Sequence, residues 1–174
     1  MKIVVLKFGG TSVGTIKKIK KIAEIIEVYK KKNYKVIVIS SAMSGVTNEL
    51  VKKSKEISKN FSEEEHDVLV SSGEQVACSL IAGRLIHKGL KSRSWLAWQI
   101  PILTKGLHKN SRINQINKNK ILKNLKDGGI SIIAGFQGVN KNERVTTIGR
   151  GGSDATAIMV SKFFNAQKCI IYTD

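Results

Sequence analysis

Three short segments of this chain concentrate side chains that can handle phosphate and carboxylate groups. The first, Lys7-Phe8-Gly9-Gly10-Thr11-Ser12, places an ammonium just before two glycines, where backbone N–H groups can approach phosphate oxygens. It lacks the Gly-Lys-Ser/Thr of a Walker loop, so it would hold phosphate in another way. The second, Gly149-Arg150-Gly151-Gly152-Ser153-Asp154, sets a guanidinium, a hydroxyl and a carboxylate among three glycines, more functional groups than a turn needs. Arg150 can grip a carboxylate through two parallel hydrogen bonds, Ser153 can donate another, and Asp154 can orient groups around a transferring phosphoryl. The third, Ser71-Ser72-Gly73-Glu74, interrupts a helical composition with residues that weaken helices, which calls for a packing or ligand reason.

The flanking sequence reads as elements that would carry these segments. Ile3 to Lys7 is a short apolar run entering a glycine turn, and Val36 to Ser40 repeats it before the small-residue loop Ser40-Ser41-Ala42-Met43-Ser44-Gly45. Between them Ile16, Ile19, Ile22, Ala23, Ile26 and Tyr29 recur at helical spacing, and a second helix is predicted from about Thr47 to Lys59. Two successive strand–loop–helix units imply right-handed crossovers and a parallel sheet. Glu63 to His87 is helical in composition, broken at Ser71–Glu74. Ser92–Trp98 is predicted as a strand, Lys118–Lys126 as a helix, Ile130–Ala134 as a third buried strand, and Val145–Ile148 as the return of a hairpin. A last helix runs to about Phe164 and a last strand covers Lys168–Tyr172. No element is readable between Pro101 and Asn117. In such a sheet, ligands bind beyond the carboxyl ends of the strands, where the glycine- and serine-rich loops fall. No helix follows Tyr172 to cover the sheet, so a C-terminally truncated domain is expected.

Composition bounds the rest. With 174 residues the chain can bury one core, and no apolar stretch approaches the roughly 18 to 20 residues of a membrane span. The N-terminus has no secretory hydrophobic region, so a cytoplasmic location is expected. Cys78 and Cys169 form no metal-binding spacing, and His66, His87 and His108 are scattered, so no metal site is expected. Cys78 reads as buried and inert, Trp95 and Trp98 as packing residues. The formal charge of +17 raises the alternative of a basic nucleic-acid-binding module. That excess is 25 Lys against 5 Arg, and the lysines between 17 and 32 lie mostly opposite a helix's apolar stripe, as on a solvated face.

Five of these segments, in order, resemble the motif series of the aspartate kinases: Lys7-Phe8-Gly9-Gly10-Thr11-Ser12, Ser41-Ala42-Met43-Ser44-Gly45-Val46-Thr47, Ser72-Gly73-Glu74, Gly135-Phe136-Gln137-Gly138 and Gly149-Arg150-Gly151-Gly152-Ser153-Asp154. Tyr172-Thr173-Asp174 resembles the opening of the next motif. The resemblance spans residues 1–174 and implies the N-terminal portion of an amino-acid-kinase domain, an α/β fold with a three-layer αβα sandwich and a mainly parallel sheet. The rest of the nucleotide site and paired regulatory ACT domains would lie elsewhere. The activity it implies is transfer of the γ-phosphoryl of ATP, with Mg²⁺ held mainly by the phosphates, to the side-chain carboxylate of L-aspartate. That is the first step towards lysine, threonine and methionine. It also implies a homo-oligomer for the full-length enzyme.

By the same resemblance Lys7 and Asp154 are catalytic. Lys7 meets the ATP phosphates with backbone donors from Gly9 and Gly10. Ser41 belongs to the nucleotide-side loop, and Thr173 and Asp174 open the adenosine pocket. Thr47, Glu74, Arg150 and Ser153 contact the amino-acid substrate, with Arg150 on its α-carboxylate and Glu74 on its ammonium. A neighbouring reading is a kinase for glutamate, acetylglutamate or a nucleotide, and another is a non-catalytic remnant that only associates with a partner chain.

Overall fold

The computed structural model describes residues 1–149 and 151–173; Arg150 and Asp174, both singled out above, lie outside the described residues. Along the chain run β1 (Ile3–Phe8), α1 (Ile16–Lys31), β2 (Lys35–Ser40), α2 (Val46–Ile57), α3 (Glu63–His87), β3 (Ser92–Trp95), β4 (Ile102–Lys105), β5 (Arg112–Ile116), α4 (Asn119–Lys126), β6 (Ile130–Ala134), β7 (Gln137–Val139), β8 (Val145–Thr147), α5 (Gly152–Phe163) and β9 (Lys168–Tyr172).

Strands β3, β6, β2, β1 and β9 form one sheet in that order, every pair parallel. Their near-continuous apolar runs follow from burial on both faces. Side chains alternate across the sheet. Val4, Leu6 and Phe8 join Val38 and Ile132 under α1 and α3, where Ile19, Ile26, Ile81 and Leu85 meet them. Ile3 and Val5 join Ile37, Ile39 and Ile133 on the opposite face, against Ile121 and Leu125 of α4 and Ala157 and Val160 of α5. The three layers are those of the expected αβα sandwich. The same alternation turns Lys7 towards the α5 face, where it is only 6% exposed. Edge strand β9 is half covered: Ile170 and Tyr172 pack on the α1 layer, while Cys169 and Ile171 are exposed.

A second sheet, β5-β4-β7-β8, stands beside the first, with antiparallel β4/β5 and β7/β8 pairs and a parallel β4/β7 junction. The β7/β8 hairpin was predicted; β4 and β5 occupy the segment that sequence left unread. The strand expected over Ser92–Trp98 ends at Trp95. Beyond it the chain turns, with Gln99 Oε1 accepting from the Leu96 N–H at 3.0 Å, so Trp95 is buried while Trp98 is 56% exposed and not a packing residue.

Helix α1 carries its lysines as read, with Lys17, Lys18, Lys20 and Lys21 exposed opposite the buried Ile19, Ile22, Ala23 and Ile26, and with Thr15 capping the Lys18 N–H. Helix α3, in contrast, is not interrupted: it runs through Ser71–Glu74 to His87. A Cβ on Gly73 would stand 2.9 Å from the Ala42 methyl carbon and 3.2 Å from Val46 Cγ1. The glycine thus lets α3 lie against the loop and helix that follow β2, and packing outweighs its helix cost of about 1 kcal/mol. No helix among the described residues is long and apolar enough to cross a membrane.

Candidate active site

At the carboxyl ends of β1 and β2 a cavity of about 310 Å³ opens, lined by Lys7, Gly10, the Ser41–Gly45 loop, Thr47, Asn48, Glu74, Phe136 and residues Gly151–Asp154. Two helices begin on it. Gly45 (φ 84°) precedes α2 and Gly151 (φ 75°) precedes α5, both left-handed positions that disfavour a side chain. Neither helix has a side-chain cap. The Val46 N–H goes to the Met43 carbonyl and the Asp154 N–H to the Gly151 carbonyl, but among the described residues no side chain caps the positive ends of the two helix dipoles at the cavity.

Lys7 Nζ lies 2.6 Å from Asp154 Oδ1, so the first turn of α5 anchors the one lysine at the end of β1. Glu74, 3% exposed, reaches the cavity from α3. Its Oε1 accepts the Ala42 N–H at 3.1 Å, while buried Oε2 has no protein partner among the described residues. Burial pushes its carboxyl up to about 7, with the Ala42 hydrogen bond pulling the other way.

The Gly135–Gly138 segment holds this arrangement from beneath. A Cβ on Gly135 would meet Ser153 Cβ at 3.1 Å, and the Phe136 ring lies where a Cβ on Gly152 would be, 2.6 Å away. Gln137 Nε2 donates to the Ser71 carbonyl at 3.0 Å. Sequence reasoning missed Asp67, which is fully buried on α3 and accepts from the Thr147 N–H (3.0 Å), Thr147 Oγ1 (2.5 Å) and the Lys109 N–H (3.0 Å), with His108 Nδ1 2.8 Å away. Asp67, Ser71, Glu74 and Cys78 are spaced four, three and four apart, one stripe of the helix, and Cys78 continues it by donating to the Ile132 carbonyl. That four–three–four spacing, which keeps all of them on one helix face, was the available signal. Cys78 is buried, as expected, and its thiol is pushed up to about 12 by burial.

Of the residues singled out from sequence, Lys7, Gly10, Ser41, Thr47, Glu74, Ser153 and Asp154 converge on this one cavity. Gly9 does not supply a free donor there. Its N–H goes to the Tyr172 carbonyl at 3.2 Å, a joint reinforced by Phe8 and Tyr172 stacking at 4.8 Å. Thr173 is exposed and does not line the cavity; Arg150 and Asp174 lie outside the described residues.

Residues 2–174 match the model of the amino acid kinase family. The chain is 49% identical over 177 aligned residues to an aspartokinase of Rickettsia felis, covering all of this chain and 44% of that protein. It thus spans less than half the length of the curated relatives it matches. Among solved structures, the aspartate kinase of Synechocystis superposes with a TM-score of 0.84 at 34% identity, over 98% of this chain and 28% of that one. Aspartokinase III of E. coli, in complex with aspartate and ADP, superposes with a TM-score of 0.88 at 25% identity, over 99% and 49%.

Proposed function

Because the chain belongs to the amino acid kinase family, we propose that it is the substrate-binding and phosphoryl-transferring portion of an aspartate kinase, converting L-aspartate and ATP to 4-phospho-L-aspartate and ADP. The observation that carries the reading is the meeting, in one cavity, of Lys7, Thr47, Glu74, Ser153 and Asp154 from four separate motifs. The aspartate and ADP bound by the E. coli relative support the choice of substrates.

An aspartate side chain, with a pKa of roughly 3.9, is ionised at neutral pH and needs no general base. The obstacle is an anion attacking a polyanion. A bond forms between a carboxylate oxygen and the γ-phosphorus as the bridging bond to the β-phosphate breaks and ADP leaves. Lys7 and the uncapped starts of α2 and α5 offer fixed positive charge and dipoles where negative charge builds. Asp154 holds Lys7 in place for that task. Mg²⁺, arriving with ATP, would add charge neutralisation on the phosphates, and the cavity's cation, bare amides and small residues fit a phosphate chain. Arg150 takes the substrate α-carboxylate, with Ser153 and Thr47 as further donors. Glu74 takes the substrate ammonium on its unpartnered Oε2, giving up the proton that burial lets it keep near pH 7.

The test is ATP-dependent aspartyl hydroxamate formation, in which hydroxylamine traps the acyl phosphate, with aspartate and glutamate in parallel. Hydroxamate from aspartate alone is expected. Hydroxamate from glutamate instead, or none from aspartate in a polypeptide extended beyond residue 174, overturns the reading.

A further inference from the structure

Asp67 lines no part of the cavity, yet it is 0% exposed and its carboxylate meets four groups of three residues: the Thr147 N–H and hydroxyl, the Lys109 N–H and His108 Nδ1. An ionised carboxylate only accepts, and burying one is costly unless its lone pairs are met. Here they are met by donors from two segments far away in sequence. The Lys109 N–H and His108 Nδ1 come from the β4–β5 turn, and the Thr147 N–H and Oγ1 come from the last residue of β8. The two segments are also tied to each other, by the Ser111 N–H on the Thr147 carbonyl at 3.0 Å and by Asn110 lying against Gly149.

Thr147 is followed by Ile148, whose N–H donates to the Phe136 carbonyl at 2.9 Å and whose side chain lies 3.1 Å from where a Cβ on Gly152 would stand. Gly152 opens α5, and Ser153 and Asp154 follow at once. From Asp67 the described contacts therefore lead through Thr147 and Ile148 to Gly152 at the start of α5. On the same face of α3, seven residues or about 10.5 Å further along the axis, stands Glu74.

We propose that Asp67 is a positioning residue of the active site: by pinning Thr147 to α3 it sets the start of α5 at a fixed distance from Glu74, so that one rigid helix spaces the two ends of the amino-acid substrate. The proposal rests on the aspartate kinase reading, since it assigns those ends to Glu74 and to the turn entering α5. Nucleotide binding, assigned by the same reading mainly to β1 and the β2 loop, is reached only indirectly, through Asp154 and its ion pair with Lys7.

The experiment compares wild type with Thr147→Val, Thr147→Ser and Asp67→Asn. Valine keeps the volume of Thr147 and its N–H but deletes the hydroxyl donor; serine restores the donor; asparagine presents an N–H₂ to groups that already donate. Apparent KM values for aspartate and ATP are read by hydroxamate trapping, and amide hydrogen exchange is followed over residues 148–154 and over β1 and β2. Thr147→Val is expected to raise the aspartate KM about tenfold with the ATP KM within about twofold, and serine to recover most of the loss, because small displacements of a substrate-positioning group are strongly felt. Exchange over residues 148–154 is expected to quicken by roughly tenfold while β1 and β2 keep their protection. Asp67→Asn is expected to go further in the same direction. If it does not fold, the Thr147 pair decides. Equal changes in both KM values, no recovery with serine, or unchanged exchange over residues 148–154 would overturn the proposal. A wild-type polypeptide extended beyond residue 174 that yields no aspartyl hydroxamate would overturn the aspartate reading instead, and the exchange data would still decide whether Asp67 anchors the start of α5.

Discussion

Lys7 Nζ and Asp154 Oδ1 lie 2.6 Å apart, joining the carboxyl end of the interior strand β1 to the first turn of α5. The pair is unequal: the lysine side chain is 8% exposed and the aspartate 42%. Solvent can therefore hydrate Asp154 when Lys7 is removed, and the stability cost of breaking this pair stays near the roughly 1 kcal/mol of partly exposed ion pairs.

Its cost to catalysis should be larger. Lys7→Ala is expected to lower kcat by about 10²- to 10³-fold with the aspartate KM changed only a few-fold, as for loss of a group that acts on transition-state charge. Steady-state kinetics with hydroxamate trapping check this. An aspartate KM that rises in proportion would place Lys7 on the substrate instead.

Glu74 makes stability depend on pH. Its folded carboxyl sits at about 7, above the ordinary 4.5, so the folded state binds more protons between those values. Stability is then fullest below about pH 4.5 and is lost as pH rises through 7, by an amount on the order of 3 kcal/mol for this group. Glu74→Gln should flatten that part of a urea-unfolding pH series and exceed wild type in stability above pH 7, while aspartate binding falls. A series that keeps its slope in the variant would show that another group titrates.

Two glycines of α3 should respond in opposite directions to alanine. At Gly73 the added methyl meets Ala42 and Val46, and overpacking of about 1–3 kcal/mol outweighs the helix gain. At Gly83 nothing lies within 4 Å, and Gly83→Ala should stabilise by up to about 1 kcal/mol. Denaturant midpoints of the two variants, with aspartate KM for Gly73→Ala, read the result directly.

Arg150→Lys should raise the aspartate KM by at least about tenfold, because lysine cannot reproduce a bidentate grip on a carboxylate. An unchanged KM would remove Arg150 from the substrate.

Among the strands, the ones legible as unbroken apolar runs were those buried on both faces. Ile3–Lys7, Val36–Ser40 and Ile130–Ala134 are continuous apolar runs because α1 and α3 cover one side of them and α4 and α5 the other. Arg112–Ile116 carries no such record. Only its last residue is buried, so Arg-Ile-Asn-Gln-Ile shows no clean period, and β4 and β5 became visible only as a pair. At Ser71–Glu74 the sequence announced a conflict between helix composition and helix-weakening residues. The resolution lay in the Ala42 and Val46 side chains on the other side of the contact.

By itself, then, the sequence determined the parallel strand–loop–helix units and the residue types of the cavity, because apolar runs, helical spacing and glycine-rich loop chemistry are local properties of the chain. Tertiary structure alone decided which of those groups remain available. Gly9 looks like a phosphate donor until Tyr172 takes its N–H, and Asp67 looks like one more acid after Glu63-Glu64-Glu65 until Thr147, Lys109 and His108 close around it. Hydrogen-bond partners distant in sequence leave no local trace, and only the folded chain brings them within reach.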